Sequence, residues 1–321
     1  MVPQLVALLT MTSTSIIGLY GSPPLALSPP RQGAQQLSPL SPGSTSLEDL
    51  GPGGLSEITL LAPPGTMERR YTLALSLRAL AVGGRLIAMA PKDKGGSRLR
   101  GELEALGCEV NEASKAHHRI CTVVRGKTVG DLDAAIAEGA PRFVEAIGLW
   151  SQPGVFSWNR IDPGSAFLVQ HLPMLAGKGA DLGSGTGYLA KAVLAASPVG
   201  KEGDKRVTRL TLIDMDRRAI EASKRNIDDP RAEIVWADVR GHEMEDLDFV
   251  VMNPPFHDGG AEDKALGQQF IVQAHRALHN GGALWLVANR HLPYEGVLGQ
   301  QFKHVSLKAE TGGFKVYEAR K

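Results

Sequence analysis

Asp181-Leu182-Gly183-Ser184-Gly185-Thr186-Gly187 joins the end of a short apolar run to the helical pattern Tyr188 to Ala196, and this strand, turn and helix set the architecture. A second strand follows at Leu210 to Ile213 with a helix over Arg217 to Asn226, a third strand at Ile234 to Ala237 and a fourth at Asp248 to Met252. Upstream, Ala166 to Leu175 reads as a helix. Downstream come helix Ala265 to Leu278, strand Ala283 to Val287, and a closing hairpin of Val305 to Lys308 with Phe314 to Ala319. Strands alternating with helices form a parallel, doubly wound sheet of the α/β class. The glycines are spaced G-x-G-x-G. A dinucleotide turn wants a further glycine where Tyr188 stands, so the spacing argues against NAD.

The fourth strand runs directly into Asn253-Pro254-Pro255-Phe256. Behind a cofactor turn, this tetrapeptide reads as methyl transfer to an amine. An exocyclic amine on a base is a poor nucleophile because its lone pair is delocalised into the ring, so its nitrogen must be held pyramidal and aimed at the methyl. The Asn253 amide oxygen and the Pro254 carbonyl are the expected acceptors for its two protons, with Phe256 stacking on the base and the prolines stiffening the turn. The expected donor is S-adenosylmethionine, whose methionine end needs the close backbone approach that Gly183, Gly185 and Gly187 permit. Asp214, ending the second strand, is placed to accept ribose hydroxyl protons, and Asp238, ending the third, to accept from the adenine amino group. With Asp181 they occupy adjacent C-terminal strand edges, where open α/β sheets bind ligands. His257 is a candidate substrate-positioning group or proton acceptor, although water suffices, and no metal is required.

The 321 residues, 43% of them apolar, favour two domains. Residues 150–321 form the catalytic domain on this reading, 16–149 a smaller first domain with its linker, and 1–15 a disordered or mis-assigned start, with Met11 as an alternative first residue. Ser22 to Gly54 is Pro-, Ser- and Gly-rich loop with one or two brief strands. Then come strand Ser56 to Ala62, helix Met67 to Leu80, strand Arg85 to Ala90, helix Leu99 to Leu106, strand Ile120 to Val124, and a helix and linker over Thr128 to Gly148.

The first half also repeats residues of the second. Leu60-Leu61-Ala62-Pro63-Pro64 matches Val251-Met252-Asn253-Pro254-Pro255, and Arg78-Ala79-Leu80 with Gly83-Gly84 matches Arg276-Ala277-Leu278 with Gly281-Gly282. This is the mark of a duplicated half-domain. Ala62 replaces the asparagine, Gly65 the phenylalanine, and no glycine turn precedes them, so the first copy is expected to be catalytically dead.

Charge divides the same way. Glu57 to Lys127 holds twelve Lys/Arg against seven Asp/Glu, whereas Trp150 to Lys321 has twenty-one of each. RNA capture is therefore expected on the first half, led by Lys92, Lys94, Arg98 and Arg100 around Gly95-Gly96. Cys108 and Cys121 read as reduced, buried thiols with neither disulfide nor zinc-ligand spacing. No basic start precedes Arg31 and no run nears the roughly 18 apolar residues of a membrane span, so a cytoplasmic protein is expected.

Residues 154–321 resemble the catalytic domain of bacterial ribosomal RNA guanine-N2 methyltransferases of the RsmC and RlmG type. The resemblance rests on Val155-Phe156-Ser157, Asp162-Pro163-Gly164-Ser165, Asn253-Pro254-Pro255-Phe256-His257, Val287-Ala288-Asn289-Arg290-His291-Leu292-Pro293-Tyr294 and Thr311-Gly312-Gly313-Phe314-Lys315-Val316-Tyr317. It implies a Rossmann-like class I domain, a degenerate first copy that helps hold RNA, and a guanine of ribosomal RNA or a ribosomal subunit as substrate, the small subunit favoured. The shorter, Pro- and Ser-rich front of the first half departs from that pattern. The stacking aromatic alone would equally serve adenine N6 or a protein glutamine, and a vestigial RNA-binding assembly factor is the reading from another class. A dead domain standing in for a second subunit favours a monomer.

Overall fold

The computed structural model describes residues 16–29, 31–197, 206–255, 257–258, 261–262 and 264–321. The segment 1–15, Met11 included, lies outside the described residues, as does Phe256.

The second half is built on a seven-stranded sheet. Its strands are β9 (Gly177–Leu182), β10 (Val207–Asp214), β11 (Ala232–Trp236), β12 (Leu247–Met252), β15 (Leu278–Asn289), β16 (His304–Thr311) and β17 (Phe314–Arg320), in the spatial order β11-β10-β9-β12-β15-β17-β16. The first five are mutually parallel and β17 runs antiparallel between β15 and β16. The helices are α4 (Pro163–His171), α5 (Tyr188–Ala196), α6 (Arg217–Asn226), α7 (Lys264–Ala277) and α8 (Tyr294–Gln301). β12 reads Leu-Asp-Phe-Val-Val-Met and buries five of its six residues, as a central strand covered on both faces must. The chain leaves β9 for β10 on one side and returns to β12 on the other. The strand order reverses there, and the carboxyl ends of β9 and β12 open side by side.

The first half carries a six-stranded sheet, ordered β2-β1-β3-β4-β6-β5. These are β1 (Ile16–Tyr20), β2 (Gln35–Gln36), β3 (Leu55–Leu61), β4 (Leu80–Pro91), β5 (Asn111–Lys115) and β6 (His118–Val124), with α1 (Thr66–Ala79), α2 (Ser97–Ala105) and α3 (Leu132–Gly139). The run β1-β3-β4-β6-β5 reproduces β9-β12-β15-β17-β16, including the antiparallel last pairings. Even the corner hydrogen bonds repeat. Gly83 N–H donates to Arg125 O at 2.8 Å and Arg125 N–H to Gly84 O at 2.9 Å, while Gly281 N–H donates to Lys321 O at 3.0 Å and Lys321 N–H to Gly282 O at 3.1 Å. Among the described residues, the β10 and β11 side of the sheet is reduced in the first copy to the two residues of β2. A short hairpin, β7 (Arg142–Val144) with β8 (Leu149–Ser151), connects the halves.

Several expected elements shift. The helix read as Ala166 to Leu175 runs from Pro163 to His171, because Asp162 caps it by accepting Ser165 N–H at 2.7 Å and Pro163 occupies its first turn. The third strand ends at Trp236, and β1, β5 and α8 stand where no element was read. Cys121 is buried, but Cys108 is only half-buried because it lies just past the end of α2; both are free thiols. Burial pushes the Cys121 thiol up to about 11.

Gly179 faces Phe249 across the β9–β12 ladder, and a Cβ there would overlap the Phe249 ring. Both neighbours are buried, so the ring has nowhere to go. Gly179→Ala is expected to destabilise the chain by about 1–3 kcal/mol, read as a lower urea midpoint; an unchanged midpoint would show that the ring relaxes freely.

Candidate active site

The glycine turn leaves β9 with Gly183, Gly185 and Gly187 at φ +72°, +54° and +83°, conformations that L side chains resist. Its backbone is tied from several sides. Asp214 Oδ2, at the end of β10, accepts Gly185 N–H at 2.8 Å; Ser223 Oγ donates to Gly185 O at 2.9 Å; Asn226 Nδ2 donates to Thr186 O at 2.9 Å and to Trp150 O at 2.9 Å. The turn, α6 and the connecting hairpin thus form one hydrogen-bonded unit.

Asp181 is fully buried at the end of β9. Gly187 supplies no side-chain cap to α5, so Asp181 Oδ2 takes over one of the helix's orphan donors, Ala190 N–H at 3.1 Å. Among the described residues, Asp181 Oδ1 and the nearby buried Ser184 Oγ have no partner. A buried carboxylate oxygen without a donor fits a ligand that brings an ammonium or N–H to it. Burial, opposed by Ala190 N–H and reinforced by the charge of Asp214, raises Asp181 to about 7. Asp214 is raised to about 6, chiefly by burial. Its second oxygen accepts Asp216 N–H at 2.8 Å. Asp238, just beyond β11, is held in a fork by Arg240, at 3.0 Å from Nε and 2.6 Å from Nη2. That pairing keeps its carboxyl below the usual range.

Across the switch point, Asn253 emerges from β12 half-buried. Its Nδ2 donates to Asp162 Oδ2 at 2.8 Å and to Ser165 Oγ at 2.9 Å. Both amide hydrogens are therefore spoken for, and the amide oxygen is turned away from these two groups. Asp162, Ser165 and Asn253 line one cleft with Gly183, Ser184 and Tyr188, and the exposed Phe156 and Ile161 form its outer wall. The cleft is open to solvent, and about 520 Å³ of space, part of it bulk solvent, lies between its walls.

The structure thus gathers Asp181, the three glycines, Asp214 and Asn253 at neighbouring strand ends, with Asp238 one strand further out. For His257 only the backbone is described, in the two-residue strand β13 (His257–Asp258) paired with β14 (Ala261–Glu262). The basic group stays on the first sheet. Lys92, Arg98 and Arg100 are exposed and Lys94 is half-buried. Arg98 donates to Thr66 Oγ1 at 3.2 Å, and Arg100 pairs with Glu104 at 2.8 Å. Among the described residues, no group of three or more His, Cys, Asp or Glu is placed to hold a metal ion, and no helix is long and apolar enough to cross a membrane.

Sequence reasoning missed the role of Asp162 and Ser165. Their signal was present, since Asp-Pro-x-Ser before an apolar stretch is a helix-start signature. What it could not show is that the capping carboxylate also grips Asn253, 91 residues away. The remaining family-like segments are largely structural: Arg290 N–H donates to Gly313 O at 2.9 Å, Phe314 packs on Gly164, and Tyr294 is fully buried against Gly267.

Both raised carboxyls make the folded chain hold protons that the unfolded chain releases above its ordinary value of 3.8. Their contribution to stability is complete below that value and is lost as pH rises through about 6 to 7. The ligand-free thermal midpoint should therefore fall from pH 5 to pH 8, and Asp181→Asn should flatten that fall; an unaltered slope in the variant would refute the assignment.

The methyltransferase small domain family model matches residues 146–318. Ribosomal RNA small subunit methyltransferase C of Cronobacter sakazakii is 33% identical over 271 residues, covering 80% of this chain and 73% of that protein. The protein of the same name from Klebsiella pneumoniae is 33% identical over 266 residues, covering 79% and 72%. A T. thermophilus 16S rRNA guanine-N2 methyltransferase (RsmC), solved with AdoMet and guanosine, superposes with a TM-score of 0.74 over 96% of this chain and 88% of that one; at 23% identity it shows a shared fold. With a family model covering more than half of the residues, and relatives at a third identity across most of the length, the chain belongs to the methyltransferase small domain family and, within it, to the ribosomal RNA small subunit methyltransferase C proteins.

Proposed function

We propose that this chain transfers the methyl group of S-adenosylmethionine to the exocyclic N2 of a guanine in small-subunit ribosomal RNA. The observation that carries this reading is the orientation of Asn253. With its NH₂ committed to Asp162 and Ser165, its oxygen is presented as an acceptor beside the glycine turn. An amide turned the other way would offer donors, and would suit a carbonyl rather than an amine. The relatives' names and the guanosine seen in the T. thermophilus enzyme support guanine and the small subunit.

The cofactor, when bound, would supply a sulfonium methyl, the electrons of the broken carbon–sulfur bond staying on sulfur as a neutral thioether. Asp181 and Ser184 would offer their unpartnered oxygens to its amino-acid end, the glycines would let the protein backbone come close to it, Asp214 would accept from the ribose, and Asp238, held by Arg240, would accept from the adenine amino group. The guanine N2 donates one hydrogen to Asn253 Oδ1 and the other to the Pro254 carbonyl, which pulls the nitrogen out of conjugation and aims its lone pair. Phe256 stacks on a base that is unpaired or unstacked from its neighbours. The proton leaves after transfer, when the methylated nitrogen is strongly acidic, to His257 or to water. RNA is gathered by the first half through Lys92, Lys94, Arg98 and Arg100, Arg100 contributing least because two carboxylates already flank it. Action on ribosomal RNA fits a cytoplasmic protein, and a first copy standing in for a second subunit fits a monomer.

Labelled methyl should pass from S-adenosylmethionine to small subunits, or their RNA, from a strain lacking the gene, and nucleoside mass analysis should show N2-methylguanosine. Label on adenosine or protein would overturn the guanine assignment. Asn253→Ala should lower kcat by about 100-fold or more while cofactor still binds; near-normal turnover would exclude the mechanism. Asp162→Asn keeps a helix cap but lets the Asn253 amide flip, so about a tenfold loss in kcat is expected. Reversing Lys92 and Arg98 to Glu should weaken RNA binding and flatten its salt dependence by about one unit per lost phosphate contact. Unchanged RNA affinity would move the binding surface elsewhere.

A further inference from the structure

The two halves meet on one buried guanidinium. Arg218, in the first turn of α6, is forked onto Asp216, Nε to Oδ1 at 3.0 Å and Nη2 to Oδ2 at 2.8 Å. Its Nη1 reaches Glu68 Oε1 of α1 at 2.6 Å. Asp216 in turn caps α6 by accepting Arg218 N–H at 3.0 Å, and its own N–H donates to Asp214 Oδ1 at 2.8 Å. An unbroken chain of charge-assisted bonds therefore runs from Glu68 in the first half to the carboxylate assigned to the cofactor ribose.

A second wall of the cleft rests on the same pair. Gly154 has φ +104°, and a Cβ there would overlap both the Arg218 guanidinium and the Glu68 carboxylate. The connection that follows it carries Phe156, Arg160 and Asp162 to the cleft. Tyr20, buried at the end of β1, closes over the cluster, where the charges of Arg218 and Glu68 both reach its phenol.

Glu68 is itself fixed by the vestigial turn. Its neighbour Arg69 is fully buried, donates to Pro63 O at 3.1 Å and Pro64 O at 2.8 Å, and pairs with Glu102 through two bonds of 2.6 Å. In the live copy the matching carbonyl is reserved for the substrate amine. In the first copy an internal guanidinium takes its place, and the turn becomes a rigid mount for the start of α1.

We propose that Glu68 is a positioning residue for the cofactor: the first half, through Glu68 and Arg218, holds Asp214 and the Gly154–Asp162 connection in the geometry that binds S-adenosylmethionine. This rests on the reading of Asp214 as a cofactor ligand. Loss of Glu68 leaves Arg218 buried with one partner fewer, free to swing and to drag Asp216 with it.

The test is titration calorimetry of S-adenosylmethionine against the full chain, with initial rates on small-subunit RNA. Glu68→Ala should raise Kd and the cofactor KM about tenfold, while kcat at saturating cofactor falls by less than KM rises and RNA affinity is unchanged. Glu68→Gln, which keeps an acceptor within reach of Nη1, should recover most of the loss. Arg218→Lys keeps the charge but loses the fork, and should weaken binding comparably. Wild-type affinity in a folded Glu68→Ala, or in Arg218→Lys should Glu68→Ala not fold, overturns the proposal, as does a loss confined to melting temperature. A wild-type chain that fails to bind the cofactor would remove the methyl-transfer reading itself, whereas binding by the wild type with unaltered variants removes only the coupling.

Discussion

The pairing of β9 with β12 is the constraint on which the site depends. Phe249, Val250 and Val251 lie in register with Gly179, Ala180 and Asp181, which brings two strand ends some seventy residues apart in sequence to one edge. A parallel ladder puts both carboxyl ends on the same side, so whatever follows them must share a cleft. The small residues of β9 allow this closeness. Gly179 leaves room for the Phe249 ring, and the apolar faces of both strands are filled from α4, α5 and α7.

Within that cleft the polar groups are committed in advance. Asp162 spends one carboxylate on capping a helix and on orienting Asn253; Asp181 spends one oxygen on an orphan donor of α5 and leaves the other unpaired. Burying a half-satisfied carboxylate is costly, and burial accordingly pushes its pKa up. A site arranged in this way does not need to reorganise when charge or a donor arrives.

The duplicated half shows what happens to the same geometry once chemistry is no longer required of it. Its sheet keeps the β12, β15, β17 and β16 counterparts and the glycine corners, and among the described residues has only the two-residue β2 on the side where the second half has β10 and β11. Arg69 fills the vacated acceptor turn with an internal donor. The first copy's turn is therefore satisfied internally, while the second keeps open polar valences at Asp181 and Ser184 among the described residues. Contacts such as Arg217 with Glu48 at 2.9 Å and Arg217 N–H with Pro39 O at 2.9 Å join the two along the face of α6.

The strand and helix alternation, the glycine turn, Asn253 and the repeat were all legible in the sequence, because each is a local pattern: periodicity, a spacing of glycines, or a tetrapeptide with one chemical use. Short edge elements such as β5, exposed and polar, carried no such period and were not. The local sequence around Asp162 carried a capping signal but not its grip on Asn253, and nothing local marked Arg218 and Glu68 on their two helices. Their meaning comes from partners between 91 and 150 residues away, which no local pattern encodes. The sequence by itself determined the class of fold and the chemistry its turns can perform. Only the tertiary structure decided which way the Asn253 amide points and what holds the Asp214 carboxylate, because a hydrogen bond has a direction and a buried charge needs a partner, and both are supplied by whatever the fold brings alongside.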